Sequence, residues 1–420
     1  MAVSLPGVVL TDHWLDVPLD HAAPSGERIT VYAREVRSPG DAQLPWLLFL
    51  QGGPGGKSPR PAGPDMWLRR ALQDFRVLLL DQRGTGRSTP VTARSLAGRG
   101  GPQQQADYLA LFRADSIVRD AELLRQAVAG GDRWSTLGQS FGGFCTLTYL
   151  SLAPDGLTEC FVTGGLAGLD ASAEDVYRRT YSRVVRKNDA YYARYPDDEA
   201  AVRRIVDHLA SSDTPLPTGD RLTPERLQSL GMAFGASGGF ETVHYLLEEA
   251  WDGAQLSPTF LAGVHEQTSF VTGPLYAVLH EACYAQEAAT RWAAQRVRDE
   301  LPAFDPLGGG RVLFTGEMVY PWMFEQERAM RPFAAAADLL AERSGWPGLY
   351  DAERLAGNAV PVHAAVYHDD MYVDVELSLQ TADRVGSVRT WVSNEFEHNG
   401  LRADGGRVLG RLIDLARGRA

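Results

Sequence analysis

The chain has 420 residues, 44% of them hydrophobic, and carries 41 basic against 53 acidic side chains for a net charge of -12. That length calls for a large catalytic domain carrying an insertion, or for two domains, and the acidic balance argues against nucleic acid or an anionic membrane as a partner. Only three cysteines occur, Cys145, Cys160 and Cys283, without C-x-x-C spacing, which argues against a disulfide framework and against a zinc site.

The opening residues lack a basic run followed by an apolar one, and no stretch of about 18 apolar residues follows anywhere, so a cytoplasmic setting is expected. Residues 12 to 36 alternate polar and apolar positions, as antiparallel strands do. The pattern then changes. Trp46-Leu47-Leu48-Phe49-Leu50 is continuously apolar, which predicts a strand covered on both faces, and it ends in Gln51-Gly52-Gly53-Pro54-Gly55-Gly56. A second such run, Val77 to Leu80, ends in Asp81-Gln82-Arg83-Gly84-Thr85-Gly86-Arg87-Ser88. Helical periodicity covers residues 103 to 129.

Trp134 to Leu137 then leads into Gly138-Gln139-Ser140-Phe141-Gly142, with a helix from Phe144 to Leu152 and another strand from Glu159 to Thr163. This rhythm predicts a mostly parallel sheet covered by helices on both faces, an α/β class fold. From residue 171 to residue 355 the rhythm is lost and the chain reads as a mainly helical cap. The catalytic domain is therefore expected over residues 1–170 and 356–420. The sheet resumes at Val360 to Tyr367 and near Arg389 to Val392, and a helix from Gly405 to Arg417 ends the pattern.

Gly-x-Ser-x-Gly between a strand and a helix is the pattern of a nucleophile elbow, which makes Ser140 the candidate nucleophile of an α/β-hydrolase. A serine hydroxyl needs a base to take its proton and an acid to orient that base, in the chain order serine, acid, histidine. Of nine histidines, His398 is the one in a turn beyond the last strand and before the closing helix. The acid follows the preceding strand, where Asp369 and Asp370 are adjacent; Asp370 is favoured, with Glu317 a competitor because it also follows a strand-like run. The oxyanion donors are expected from the N–H of Phe141 and from Gly53 in the glycine-rich turn. The block from Asp81 to Ser88 reads as a scaffold bracing that turn.

Taken together, Gln51-Gly52-Gly53-Pro54-Gly55, Asp81 to Ser88 and Gly138 to Gly143 resemble the proline iminopeptidases, also called prolyl aminopeptidases, in their longer bacterial branch. The resemblance implies release of an N-terminal residue, preferably proline, from small peptides by a serine mechanism with neither metal nor cofactor. The family commonly opens the Gly-Gly-Pro-Gly block with histidine, where this chain has Gln51.

Exopeptidase action requires a carboxylate for the free α-ammonium of the substrate. The family uses cap glutamates, and Glu281, Glu317 and Glu241 are the candidates here, with Tyr320 and Trp322 as aromatic walls for a proline ring. Fold and triad alone do not choose among substrates. An esterase, lactonase or amidase, or a catalytically silent ligand-binding relative, stands as the alternative.

Overall fold

The computed structural model describes residues 2–40 and 43–419. In chain order its strands are β1 (Ala2–Leu5), β2 (Val8–Pro18), β3 (Arg28–Arg37), β4 (Trp46–Leu50), β5 (Arg76–Asp81), β6 (Trp134–Gln139), β7 (Leu157–Thr163), β8 (Trp251–Asp252), β9 (Gln255–Leu256), β10 (Val362–Tyr367) and β11 (Val388–Ser393). Nine of them form one sheet, ordered β1-β2-β3-β5-β4-β6-β7-β10-β11. The β1, β2, β3 and β5 edge is antiparallel, and every pairing from β5 through β4, β6, β7 and β10 to β11 is parallel.

The continuous apolar strands sit where a doubly covered sheet needs them. In β4 and β5, Leu47, Phe49, Val77 and Leu79 pack against Trp67 and Leu412 on one face, while Leu48, Leu50, Leu78 and Leu80 join Ile117 and Leu147 on the other. The two faces follow from the alternation of side chains along a strand. Each buried leucine or phenylalanine contributes roughly 1.5–3 kcal/mol. A charge at Leu48, which is 0% exposed, would have neither water nor a partner and is the single change expected to break this core.

The block after β5 is a brace. Asp81 accepts from the N–H groups of Ser58 and Arg87 and pairs with Arg60. Arg83 is fully buried, donates to both carboxylate oxygens of Asp120 and to the carbonyls of Pro18, Leu19 and Leu111, and so ties β2 to the helix behind the sheet. A buried ion pair with its donors filled is costly to break, by about 3–5 kcal/mol when one partner is removed.

Between β7 and β10 the chain is mainly helical, beginning with a 22-residue helix, Ala173–Arg194, whose Ser172 and Asp175 form a capping box. Three details depart from the sequence reading. The periodic stretch over 103–129 is two helices, Pro102–Ala110 and Ala114–Val128, parted where the Leu111 carbonyl turns to Arg83. The apolar run Arg311 to Gly316 is not a strand, because side chains serve its backbone: Asn188 bonds both the N–H and carbonyl of Phe314, and Tyr192 donates to the Val312 carbonyl. The β8–β9 ribbon was not expected. Among the described residues no helix is long and apolar enough to cross a membrane.

Candidate active site

Ser140 joins β6 to the helix Phe141–Leu152 at φ +83°, a left-handed conformation that a side chain holds only against strain of about 1–3 kcal/mol. Packing sustains it. A Cβ at Gly142 would lie 1.9 Å from the Leu50 carbonyl oxygen, so only glycine lets the helix start this close to β4. The serine is presented at the carboxyl end of the parallel strands with its own N–H bonded to the Thr163 carbonyl at 3.1 Å.

Turns after β10 and β11 bring the remaining groups to it. His398 Nε2 lies 2.8 Å from Ser140 Oγ, and His398 Nδ1 lies 2.6 Å from Asp370 Oδ2. With the proton on Nδ1, the ring donates to Asp370 and accepts from the serine hydroxyl. Asp370 is 1% exposed, and its other oxygen accepts from the N–H groups of Tyr372 and Val373, which fixes the carboxylate. Asp369 points elsewhere, to His368 on an exposed turn. Burial alone would lower the basicity of His398, but the charge of Asp370, its hydrogen bond and the nearby Glu317 outweigh it and raise the pKa above 6.5.

The glycine-rich turn after β4 folds against the serine. A Cβ at Gly52 would sit 3.1 Å from Ser140 Cβ, and Gly53 takes φ +142°, open to glycine alone. Gln82 Nε2 donates to the Gln51 carbonyl at 2.9 Å and holds the start of the turn. Phe141 is the first helical residue, so its N–H has no acceptor within the helix.

Glu317, from the mainly helical region between β7 and β10, lies near His398 and Asp370. Burial raises its pKa to about 7, with the charge of His398 and a 2.5 Å hydrogen bond from Tyr276 opposing that rise.

Comparison with known proteins narrows the class. A family model described as alpha/beta hydrolase fold matches residues 45–268. A proline iminopeptidase of Aeromonas sobria is 53% identical over 416 residues, covering 98% of each chain. The chain belongs to the proline iminopeptidase family. A second relative, proline iminopeptidase aneH of Aspergillus aculeatus, is 35% identical over 98% of this chain and 94% of its own. A solved structure of proline iminopeptidase from Mycobacterium smegmatis is a looser match, 15% identical at a TM-score of 0.45, with 96% of this chain and 100% of that one covered.

The other expected cap residues of this proline iminopeptidase family member have different partners. Glu281 accepts from the N–H groups of Ala293 and Ala294 at 3.0 and 2.9 Å, capping the helix Ala293–Asp299. Glu241 pairs with Arg194 and accepts from Tyr195. Tyr320 is buried in cap packing, its hydroxyl 2.8 Å from that of Tyr181, and Trp322 stacks on it with ring centroids 5.5 Å apart. These two aromatic side chains therefore pack within the mainly helical region between β7 and β10.

Other rings stand near the triad. Tyr372 lies with its centroid 4.9 Å from that of His398. A run of neighbouring rings leads from Phe141 through Phe144, Tyr284 and His280 to Tyr276, each 5.2–6.3 Å from the next. Tyr276 and Tyr372 escape sequence reasoning; the one local signal is that Tyr372 shares the turn of Asp370. The loop of His398 is also tied on both sides to the mainly helical region between β7 and β10. Lys187 pairs with Glu397 at 2.5 Å, and Ser237 donates its N–H to Asn399 Oδ1 at 2.9 Å. No group of three or more histidine, cysteine or acidic side chains among the described residues is spaced to hold a metal ion.

Proposed function

We propose that this protein is a serine aminopeptidase that releases an N-terminal residue, preferably proline, from small peptides, with residues 171–355 as a cap over a catalytic domain of residues 1–170 and 356–420. The observation that supports it most is the unbroken chain Asp370, His398, Ser140 with Glu317 alongside, in a member of the proline iminopeptidase family.

In this reading His398 takes the proton of Ser140 as the hydroxyl attacks the prolyl carbonyl, and Asp370 stabilises the imidazolium. The N–H groups of Phe141 and Gly53 receive the developing oxyanion, each worth about 3 kcal/mol. The imidazolium returns its proton to the departing amine, and water releases proline from the serine ester by the same steps in reverse. Glu317 holds the α-ammonium, which limits cleavage to the first peptide bond. Phe141 is the aromatic neighbour of the nucleophile expected to contact the pyrrolidine ring. The working compartment is the cytoplasm, and neither nucleic acid nor membrane is a partner.

The test is a panel of prolyl arylamide, its N-acetyl derivative, other free-amine aminoacyl arylamides and simple aryl esters. Turnover of free-amine proline substrates with N-acetylated ones nearly inert supports the reading. Equal rates on free and acetylated amines would make the enzyme an amidase or esterase, and failure to react with a fluorophosphonate would remove serine catalysis altogether.

A further inference from the structure

A cavity of about 880 Å³ opens beside the glycine-rich turn, lined there by Gly55, Gly56 and Lys57 and, packed against that turn, by Pro274, Leu275 and Tyr276. That volume falls in the range of small-ligand sites. Its two walls tie it to the reaction centre. On one side the turn folds back, since a Cβ at Gly56 would lie 2.4 Å from the Gly52 carbonyl and one at Gly52 would lie 3.1 Å from Ser140 Cβ. On the other, Tyr276 carries the hydroxyl that donates to Glu317.

Lys57 is the only charged side chain among the described residues lining this cavity, and no acidic group accompanies it. It is exposed and has neither an ion pair nor a side-chain hydrogen bond among the described residues. Lysine occurs in this chain only at positions 57 and 187, and the other one is paired with Glu397. The backbone beneath it is not loose: the next residue, Ser58, bonds the Asp81 carboxylate through its N–H and the Leu80 carbonyl through its hydroxyl. An uncompensated cation on a braced turn, in a cavity otherwise apolar and hydroxylated, is complementary to an anion.

We infer that this cavity receives the leaving portion of the substrate and that Lys57 pairs with its C-terminal carboxylate, making short peptides with a free C-terminus the preferred substrate class. The inference rests on the aminopeptidase reading above, because it assigns the far end of the same substrate. Lys57 lies four residues beyond Gly53, so the two are separated by at most about 14 Å of extended chain, and by less because the turn doubles back. A carboxylate one to three residues past the scissile bond spans that interval. Glu317 and Lys57 would then hold opposite ends of one zwitterion, with the scissile carbonyl over Ser140 between them. Lys57 is a specificity residue that takes no part in bond making.

The experiment compares prolyl dipeptides and tripeptides having free carboxylates with the same peptides as C-terminal amides, in wild-type protein and in Lys57→Ala, Lys57→Glu and Lys57→Arg. Wild type should favour the carboxylate form by about three- to tenfold in kcat/KM, through KM, as partly exposed ion pairs allow. That ratio should fall to about one in Lys57→Ala, invert in Lys57→Glu and return in Lys57→Arg. The preference should also decline with added salt in wild type and not in Lys57→Ala. An unchanged carboxylate-to-amide ratio in Lys57→Ala, or loss of kcat on both forms alike, overturns the inference. Prolyl arylamide, which has no carboxylate, keeps the two readings separable: if wild type does not cleave it, the aminopeptidase assignment fails first.

Discussion

Glu317→Gln tests the ammonium site with the shape nearly unchanged and only the charge removed. Burial raises this carboxyl from 4.5 to about 7. At about 1.36 kcal/mol for each pH unit, holding Glu317 ionised against that upward shift costs roughly 3 kcal/mol. A bound ammonium offsets that cost, so its loss should lower kcat/KM on prolyl arylamide on the order of 10²-fold. The pH dependence carries a second signature. Glu317 must be ionised and His398 neutral, so the wild-type profile should rise with pH through two groups, Glu317 at about 7 and His398 above its ordinary value. In Glu317→Gln one group is gone, and because Glu317 raises the pKa of His398, the remaining limb should move to lower pH.

Stability supplies a readout independent of catalysis. Between 4.5 and about 7 the folded state keeps a proton on Glu317 that the unfolded chain has released, so stability falls as pH rises through that window. The glutamine variant should therefore be more resistant to urea than wild type at about pH 8.5 and nearly equal to it at about pH 4, while being the poorer enzyme. A variant that keeps its kcat/KM within about threefold on free-amine substrates would show that this carboxylate does not hold the ammonium, whatever its effect on stability.

Ser140→Ala or His398→Ala should lower kcat by about four orders of magnitude or more while leaving the denaturation curve intact, and Ser140→Ala should abolish fluorophosphonate labelling. Asp370→Asn should cost about 10³- to 10⁴-fold in kcat, whereas Asp369→Asn, exposed and paired only with His368, should remain within about twofold. Lys187→Ala should lower kcat about tenfold and leave Glu397 without the partner that opposes its upward-shifted pKa; a Lys187→Glu, Glu397→Lys exchange that recovers activity would mark the pair as positioning the histidine loop.

Much of the catalytic domain was legible in the sequence because its signals are local. A five-residue apolar run bounded by a proline and a glycine-rich turn reads as a strand buried on both faces, and β4 spans the very residues Trp46–Leu50. The elbow is likewise written in six consecutive residues. The choice between Asp369 and Asp370 is not local in that sense. It depends on two N–H groups, of Tyr372 and Val373, that pin one carboxylate inward, and on a neighbouring histidine that holds the other outside. Cap side chains are less legible still. Glu281 and Glu317 look alike in sequence, each among apolar and aromatic residues, but one meets a helix N-terminus at Ala293 and Ala294 and the other a hydroxyl 41 positions away. Tyr320 and Trp322 show the same limit, since an aromatic at a cap position packs into whichever wall tertiary contacts supply.

The distribution of charge around Ser140 decides how a peptide enters, not merely how tightly it binds. With Glu317 at one end and Lys57 at the other, a peptide presented backwards would set its carboxylate against a half-buried acid and its ammonium against a lysine. Like charges at such distances oppose binding, and the penalty is larger at the buried end than at the exposed one. Orientation is thus set chiefly by Glu317, and Lys57 adds discrimination that salt can remove. It follows that raising ionic strength should erode the preference for a free carboxylate well before it erodes the preference for a free amine. If the amine preference is lost first, Glu317 is not the group that orients the substrate.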